Sequence, residues 1–516
     1  MRLWPRRNRL MALAMALTTA TSLPAWASSE ALPSLDARIN AWVAPLLDGI
    51  AAFVFQPIPG TPLPVIVAWL LAGALFCTWR MGFVNLRGFG QALRVARGDY
   101  DNPKDPGEVT HFQALTAALS GTVGLGNIAG VAIAISLGGP GATFWMILAG
   151  LLGMSAKFTE CTLAVAYRRI DGAGVVSGGP MWYLSTGLGA RGWPRLGRAL
   201  AMLFSLLCVG GALGAGNMFQ INQATQQFIG VFGPALGGAD GLFSSPLAFG
   251  LIYAVGVGLI ILGGIRSIAR VTARLVPVMA AIYVLASLVV IGVHIDQIGW
   301  ALAEIMRGAF APEAGVGGLI GVMVQGLRRA AFSNEAGIGS AAIAHAAAKT
   351  RQPVAEGLVA LLEPFIDTVV ICTITALVII LTGVAGQGGD GIRLTSNAFA
   401  TVFAWFPAVL TVAVILFAFS TSITWFYYGA KSWQYLFGDA SRTQLIYKVI
   451  YLAALLVGAS ATLTSVMNFS DAMLLAMAFP NMIGLYVLSG EVRRRLDRYW
   501  QDLHTGIVQP YAKKSP

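Results

Sequence analysis

A chain of 516 residues that is 56% hydrophobic and only 11% charged, with a mean hydropathy of +0.71, lies outside the range of soluble domains, where about a quarter of residues are charged. Its net charge of +11 does not point to nucleic acid, because Lys and Arg sit in short loops between apolar stretches rather than on one basic face. Soluble and disordered classes are excluded, and an all-α polytopic membrane protein is specified.

Residues 1–27 read as a signal peptide. Arg2, Arg6, Arg7 and Arg9 form a basic start, Leu10 to Ala20 an apolar core, and Ala25-Trp26-Ala27 a small-residue cleavage site. The apolar core is shorter than the roughly 20 residues a span requires. Residues 28–62 follow as a periplasmic or interfacial segment, amphipathic from Ile39 to Phe55. Eleven apolar stretches come next, with cores at 63–82, 112–136, 143–167, 199–222, 247–265, 275–295, 317–343, 357–382, 405–428, 445–466 and 471–489. Alternate loops carry nearly all the arginines and lysines, which places the mature N-terminus in the periplasm and the C-terminus in the cytoplasm of an inner-membrane protein.

The first span, 63–82, is set apart by a basic cytoplasmic linker, 83–110, and the chain ends in a cytoplasmic tail, 491–516. The remaining ten spans divide into five-helix halves, 111–295 and 296–490, the arrangement of transporters built from inverted repeats with broken helices. The first span of the first half contains Ser120-Gly121-Thr122-Val123-Gly124-Leu125-Gly126-Asn127. The first span of the second half contains a matching polar, glycine-rich run from Gln325 to Ser340. Unwound backbone persists at membrane depth only where it lines a cavity or holds a ligand. In the first break the amides of Gly124, Leu125 and Gly126 suit a carboxylate. The carbonyls near Ser120, Thr122 and Val123, with the side chains of Thr122 and Asn127, suit Na+, a hard cation that prefers oxygen. No His or Cys lies near, so no transition metal and no cofactor is expected.

The run Gly124 to Val131, then Gly138-Gly139-Pro140-Gly141-Ala142 and Phe144-Trp145-Met146, resembles the alanine/glycine:cation symporter family, also called sodium:alanine symporters. So do Ser177-Gly178-Gly179-Pro180-Met181, Gly216-Asn217-Met218, Phe332 to Gly337 with Ala346 to Thr350, and Ser420-Thr421 with Trp425 to Gly429. The resemblance covers roughly 63–490. It implies a LeuT-type fold, with a five-plus-five inverted repeat, broken first and sixth core helices and one extra N-terminal span. It also implies Na+- or H+-coupled uptake of small neutral amino acids. By the same resemblance Gln220 faces the substrate carboxylate, Phe332 and Trp425 wall the side-chain pocket, and Ser420 and Thr421 complete a cation site. Position 125 is Leu where relatives can carry Thr.

Other polar groups in the spans receive local readings. Lys157 and Glu160, three apart, can pair with each other. Glu363 and Asp367, like-signed and four apart, need a positive partner or protonation, and Arg328 and Arg329 are the nearest candidate partners by type. His111 and His345 read as interfacial, Tyr427 and Tyr428 as belt aromatics, and Asn217 as interhelical support. The four cysteines, Cys77, Cys161, Cys208 and Cys372, follow no metal-ligand spacing. The chain lacks a phosphate-binding G-x-x-x-x-G-K-[ST] motif, and a symporter of alanine or glycine with Na+ is the expectation. An H+-coupled symporter, a channel, a non-transporting sensor or an intramembrane enzyme are the alternatives.

Overall fold

The computed structural model describes residues 45, 49–236, 241, 245–262, 264–310, 315–386 and 391–511. The predicted signal peptide lies outside them, as does residues 28–48 apart from residue 45.

Nearly every described element is a helix, since in hydrocarbon only a helix satisfies its own backbone. The helix α1 (Val65–Arg80) and the short amphipathic α2 (Phe89–Ala96) precede α3 (His111–Thr122). The predicted linker is thus partly helical, with Gln91, Ala92, Val95 and Ala96 buried on one face of α2. Thr110 opens α3 with a capping box: its hydroxyl accepts from the Gln113 amide at 3.2 Å while the Gln113 side chain accepts from the Thr110 amide at 3.0 Å. A wide turn at Gly126–Gly130 leads into α4 (Val131–Gly138), which is bent 51° from α3. The helix α5 (Ala142–Ala166) runs into a small antiparallel hairpin of β1 (Arg169–Ile170) and β2 (Val176–Ser177). Pro at the first turn starts both α6 (Pro194–Leu213) and α8 (Pro246–Ile261), where its missing N–H costs nothing. Between them lies α7 (Phe219–Phe232), joined to α6 by a second wide turn at Gly214–Met218.

Two further helices follow, α9 (Gly264–Val293) and α10 (Ile298–Ala309). The helix α11 (Gly315–Asn334) stops at Glu335, and the chain resumes as the single turn α12 (Ala342–His345). Then come α13 (Pro353–Ala360), a wide turn at Phe365–Cys372, α14 (Thr373–Leu381) and α15 (Ile392–Ala400). The long α16 (Phe406–Phe437) packs against α3, α6, α7 and α9, and so stands at the centre of the bundle. The helices α17 (Ser441–Ser460), α18 (Leu463–Ala476) and α19 (Ala478–His504) complete it, α19 running well past the predicted span end at 489.

Among the described residues seven helices are long and apolar enough to cross a membrane, eight when the bent pair α3 and α4 is taken as one span. The protein is a multi-pass membrane protein. Of the eleven predicted spans, α1 and α8 fall short by length and α11 is not among the eight.

Candidate functional site

The first break is created by side chains that intercept backbone amides. In a continuous α-helix the amides of Gly124 and Leu125 would close onto the carbonyls of Ser120 and Gly121. Instead Gly124 donates to Asn127 Oδ1 at 2.9 Å, and Leu125 donates to Gln220 Oε1 of α7 at 3.1 Å. Val123 marks the departure, with a ψ of 87° at the end of α3. The carbonyls of Ser120 and Gly121 therefore lose their helical partners, while every diverted amide remains paired, as burial demands. Two of the three amides predicted to meet a carboxylate are thus held by the amide side chains of Asn127 and Gln220. The other end of the Gln220 carboxamide is fixed too, Nε2 donating to Ala215 O at 2.9 Å.

The helix α16 closes one side of this turn. A Cβ placed on Gly124 would meet Thr421 Oγ1 at 2.5 Å and Gln220 Oε1 at 3.2 Å, so glycine is required for the approach of both. The Thr421 hydroxyl is buried and has no hydrogen-bond partner. One residue earlier, Ser420 Oγ lies 2.5 Å from Ser120 Oγ, which also accepts from Thr424 Oγ1 at 2.9 Å. Thr424 was not predicted, although it lies one helical turn beyond Ser420. The Thr122 hydroxyl turns back to the carbonyls of Ala118 and Leu119, both at 3.4 Å. Phe332 sits over Gly126, its ring 3.3 Å from where a Cβ would be, and stands edge-on to Phe219 with centroids 5.0 Å apart.

Asn127 clamps the turn from the other side. Its Nδ2 donates to Asp367 Oδ1 at 2.6 Å and to the Asp367 carbonyl at 3.0 Å. Ser333 and Thr368 donate to the other Asp367 oxygen, both at 2.7 Å. Asp367 is therefore ringed by neutral donors and not by Arg328 or Arg329 as predicted. Those two arginines pair instead with Asp471 on α18, Arg328 at 2.8 Å. Spans distant in sequence but adjacent in the bundle supply the partner.

The second break is charged. Glu335 adopts a left-handed φ of 57°, a conformation that costs a non-glycine residue about 1–2 kcal/mol. Its carboxylate accepts from Ser340 Oγ and, at 3.1 Å, from Trp425 Nε1. Trp425 thus lies one turn along α16 from Thr421 but spends its polar end on the second break, its ring wedged against Gly216, where any Cβ would collide with it. Asn217, read as support, donates to Tyr451 O at 2.7 Å.

Three other expectations are corrected. Lys157 pairs with Glu363 at 3.6 Å rather than with Glu160, which accepts from Asn481 Nδ2 at 2.8 Å. His111 and His345 are not interfacial but buried, both bound to Glu356. Tyr427 and Tyr428 are buried as well, Tyr428 edge-on to Trp425. In each case a strongly polar or aromatic residue finds a partner on a neighbouring helix, so sequence spacing alone misplaces it. The four cysteines are free and buried, Cys372 lying 3.4 Å from both Asn127 Nδ2 and Ser333 Oγ.

Comparison with known proteins identifies the family. The model of the sodium:alanine symporter family matches residues 51–514. The sodium/alanine symporter AgcS of Methanococcus maripaludis is 40% identical over 434 residues, covering 83% of this chain and 92% of that one. The amino-acid carrier protein AlsT of Bacillus subtilis is 34% identical over 450 residues, covering 86% of this chain and 91% of that one. Among solved structures, MhsT in complex with L-phenylalanine superposes with a TM-score of 0.53 at 15% identity, covering 76% of this chain and 98% of MhsT, a likeness of fold. Relatives and structural neighbour are transporters, not enzymes. The chain belongs to the sodium:alanine symporter family and is a cation-coupled amino acid transporter.

Proposed function

We propose that the protein is a secondary active symporter that couples inward Na+ movement to uptake of alanine, glycine or a similar small neutral amino acid by alternating access. The observation that carries this reading is the turn from Val123 to Gly126. Its amides at Gly124 and Leu125 are held by side chains, and the unpartnered Thr421 hydroxyl is aimed at Gly124. Gln220 Oε1 stands on the Leu125 amide where a substrate carboxylate oxygen would go, and arrival of substrate displaces it. Gly124, Leu125 and Gly126 then receive the carboxylate, with Phe332 and Trp425 limiting the side chain. The cation is taken by the released carbonyls near Ser120 to Val123 with the hydroxyls of Thr122, Ser420 and Thr421. Asn127 holds the unwound turn against Asp367.

The same reading takes the eleven predicted segments as spans, the first an addition to two inverted five-helix halves, with the basic loops and the C-terminus on the cytoplasmic side of the inner membrane. Two relatives supply the competing outcomes. One is the putative sodium/proton-dependent alanine carrier protein YrbD of Bacillus subtilis, 33% identical, and another its probable sodium/glutamine symporter GlnT, also 33% identical.

Uptake of alanine, glycine, serine, leucine and glutamine into proteoliposomes, with Na+ or choline outside at constant pH, tests the proposal. Concentrative uptake of the small substrates in Na+ alone supports it. Uptake that persists in choline under an acid-outside gradient transfers the coupling to H+, and preference for glutamine overturns the small-substrate assignment.

A further inference from the structure

A second constellation of buried polar groups lies at the end of the bundle that carries the basic loops. His111 at the start of α3, Glu356 on α13, His345 at the end of α12, and Glu363 form an unbroken chain. His111 Nδ1 meets one oxygen of Glu356, His345 Nδ1 meets the other, and His345 Nε2 meets Glu363. The chain ends on Lys157 Nζ of α5, 3.6 Å from Glu363. None of the five side chains is more than 1% exposed.

Hydrogen counting shows what this arrangement requires. Each nitrogen-to-oxygen contact needs one hydrogen, and a neutral imidazole carries only one N–H. With both glutamates ionised and both imidazoles neutral, His345 must serve two carboxylates with a single hydrogen. One added proton, on His345 or on a partner carboxyl, completes every contact. It also lets the formal charges of Lys157, Glu356 and Glu363 cancel, which matters because side chains this deeply buried are weakly screened.

The surroundings offer both supply and control. His111 lines a cavity of about 240 Å3 together with Tyr100, Asp105, Arg351 and Tyr499, so a proton can enter from that side. Asp101 also acts on His111, and Arg168, in the loop after α5, bears on Glu356 and is itself faced by Asp105 from the loop before α3. On the far side Glu160 and Cys161 of α5 and Tyr428 of α16 face the Glu363 and Lys157 end, and Glu335 of the second break is within the electrostatic reach of Lys157. The Arg168 guanidinium is itself committed to backbone, donating to the carbonyls of Pro106, Ala346, Ala348 and Thr350 at 2.5–2.8 Å.

The chain also spans a mechanical junction. The segment before α3 is zipped to the segment after α12, Glu108 N donating to Ala347 O at 2.8 Å and Lys349 N to Val109 O at 2.7 Å. Both broken spans therefore end on the same seam, and the His–Glu chain is the buried polar fastening beneath it. We propose that His111, Glu356, His345 and Glu363 make up a proton-binding site, distinct from the amino acid and cation site and filled from the adjoining cavity, whose proton fastens these ends together. Loss of the proton leaves two carboxylates competing for one N–H and loosens the seam. That loosening controls release rests on the transport reading above; the binding of the proton does not.

The test uses the full chain. Alanine exchange in proteoliposomes at saturating Na+ on both sides, at equal internal and external pH from 6 to 9, should change about tenfold or more, as expected for one-proton control. In His345→Gln and Glu363→Gln the profile should flatten while Na+-dependent alanine binding in detergent is retained. Profiles that overlay the wild type overturn the proposal. Should these variants not fold, the wild-type protein still decides. The sequence holds four histidines, so a variant carrying both His294→Gln and His504→Gln leaves only the 15N imidazole signals of His111 and His345, both in the proposed site. A shift of either signal within this range supports the site, and two signals that do not move overturn it. Absence of any alanine exchange would instead count against the transport reading, leaving the titration to decide the proton site.

Discussion

The two breaks interrupt helices of one bundle but are built from opposite materials. The first, from Val123 to Gly126, is lined by amides, hydroxyls and the carboxamides of Asn127 and Gln220, with the one nearby carboxylate, Asp367, met by neutral donors. The second follows a helix whose Arg328 and Arg329 are tied to Asp471, and turns on Glu335, which holds Ser340 and Trp425. Neutral hydrogen bonds contribute about 1 kcal/mol each and are readily exchanged for ligand contacts. Breaking a buried ion pair costs about 3–5 kcal/mol because a charge is stranded. The first break is accordingly suited to trading partners, and the second to keeping them.

Substitutions can break that contrast, beginning with the largest effect. Asp471→Asn leaves the buried Arg329 and the partly buried Arg328 without their carboxylate and should lower stability by about 3–5 kcal/mol; thermal unfolding in detergent close to the wild type would refute a framing role for this end of α11. Gly124→Ala puts a methyl group against Thr421 and Gln220. An overpacking cost of about 1–3 kcal/mol should appear as roughly tenfold to hundredfold slower uptake, and unimpaired uptake would remove this turn from the site. Trp425→Phe strips Glu335 of its indole donor and should cost about 1–3 kcal/mol in unfolding free energy, an unchanged value showing that the bond carries little. Thr421→Val should be the mildest for the fold, within about 0.5 kcal/mol, because the hydroxyl has no partner to lose. Its effect should fall on Na+, raising the concentration that half-saturates uptake, and an unaltered Na+ dependence would acquit Thr421.

What the sequence made legible follows the same divide. Glycines, hydroxyls and amides packed into one apolar span announce a broken helix, and motif resemblance supplied Gln220, Phe332 and Thr421, all of which the structure brings against Gly124 or Gly126. The charged groups were visible as costly anomalies, but their partners were not. His111 and Glu356 are 245 residues apart, and Arg329 and Asp471 142 apart, so only the packing of the helices joins them. Spacing rules see neighbours one turn away, which is why Lys157 was matched to Glu160 instead of Glu363. Asp471 lacked any local signal, since an acid within a span acquires meaning from the helix it faces, whereas Thr424 was readable from its place one helical turn beyond Ser420.

The central claim is that ligands are exchanged at the first break while the second holds its contacts. A structure of the full protein determined with alanine and Na+ tests it most directly. The account predicts the alanine carboxylate on the Leu125 amide with Gln220 displaced, a cation beside Thr421 and the carbonyls near Ser120, and the Arg329–Asp471 and Trp425–Glu335 contacts intact. Alanine bound at Glu335, with the Gln220–Leu125 bond undisturbed, would contradict it.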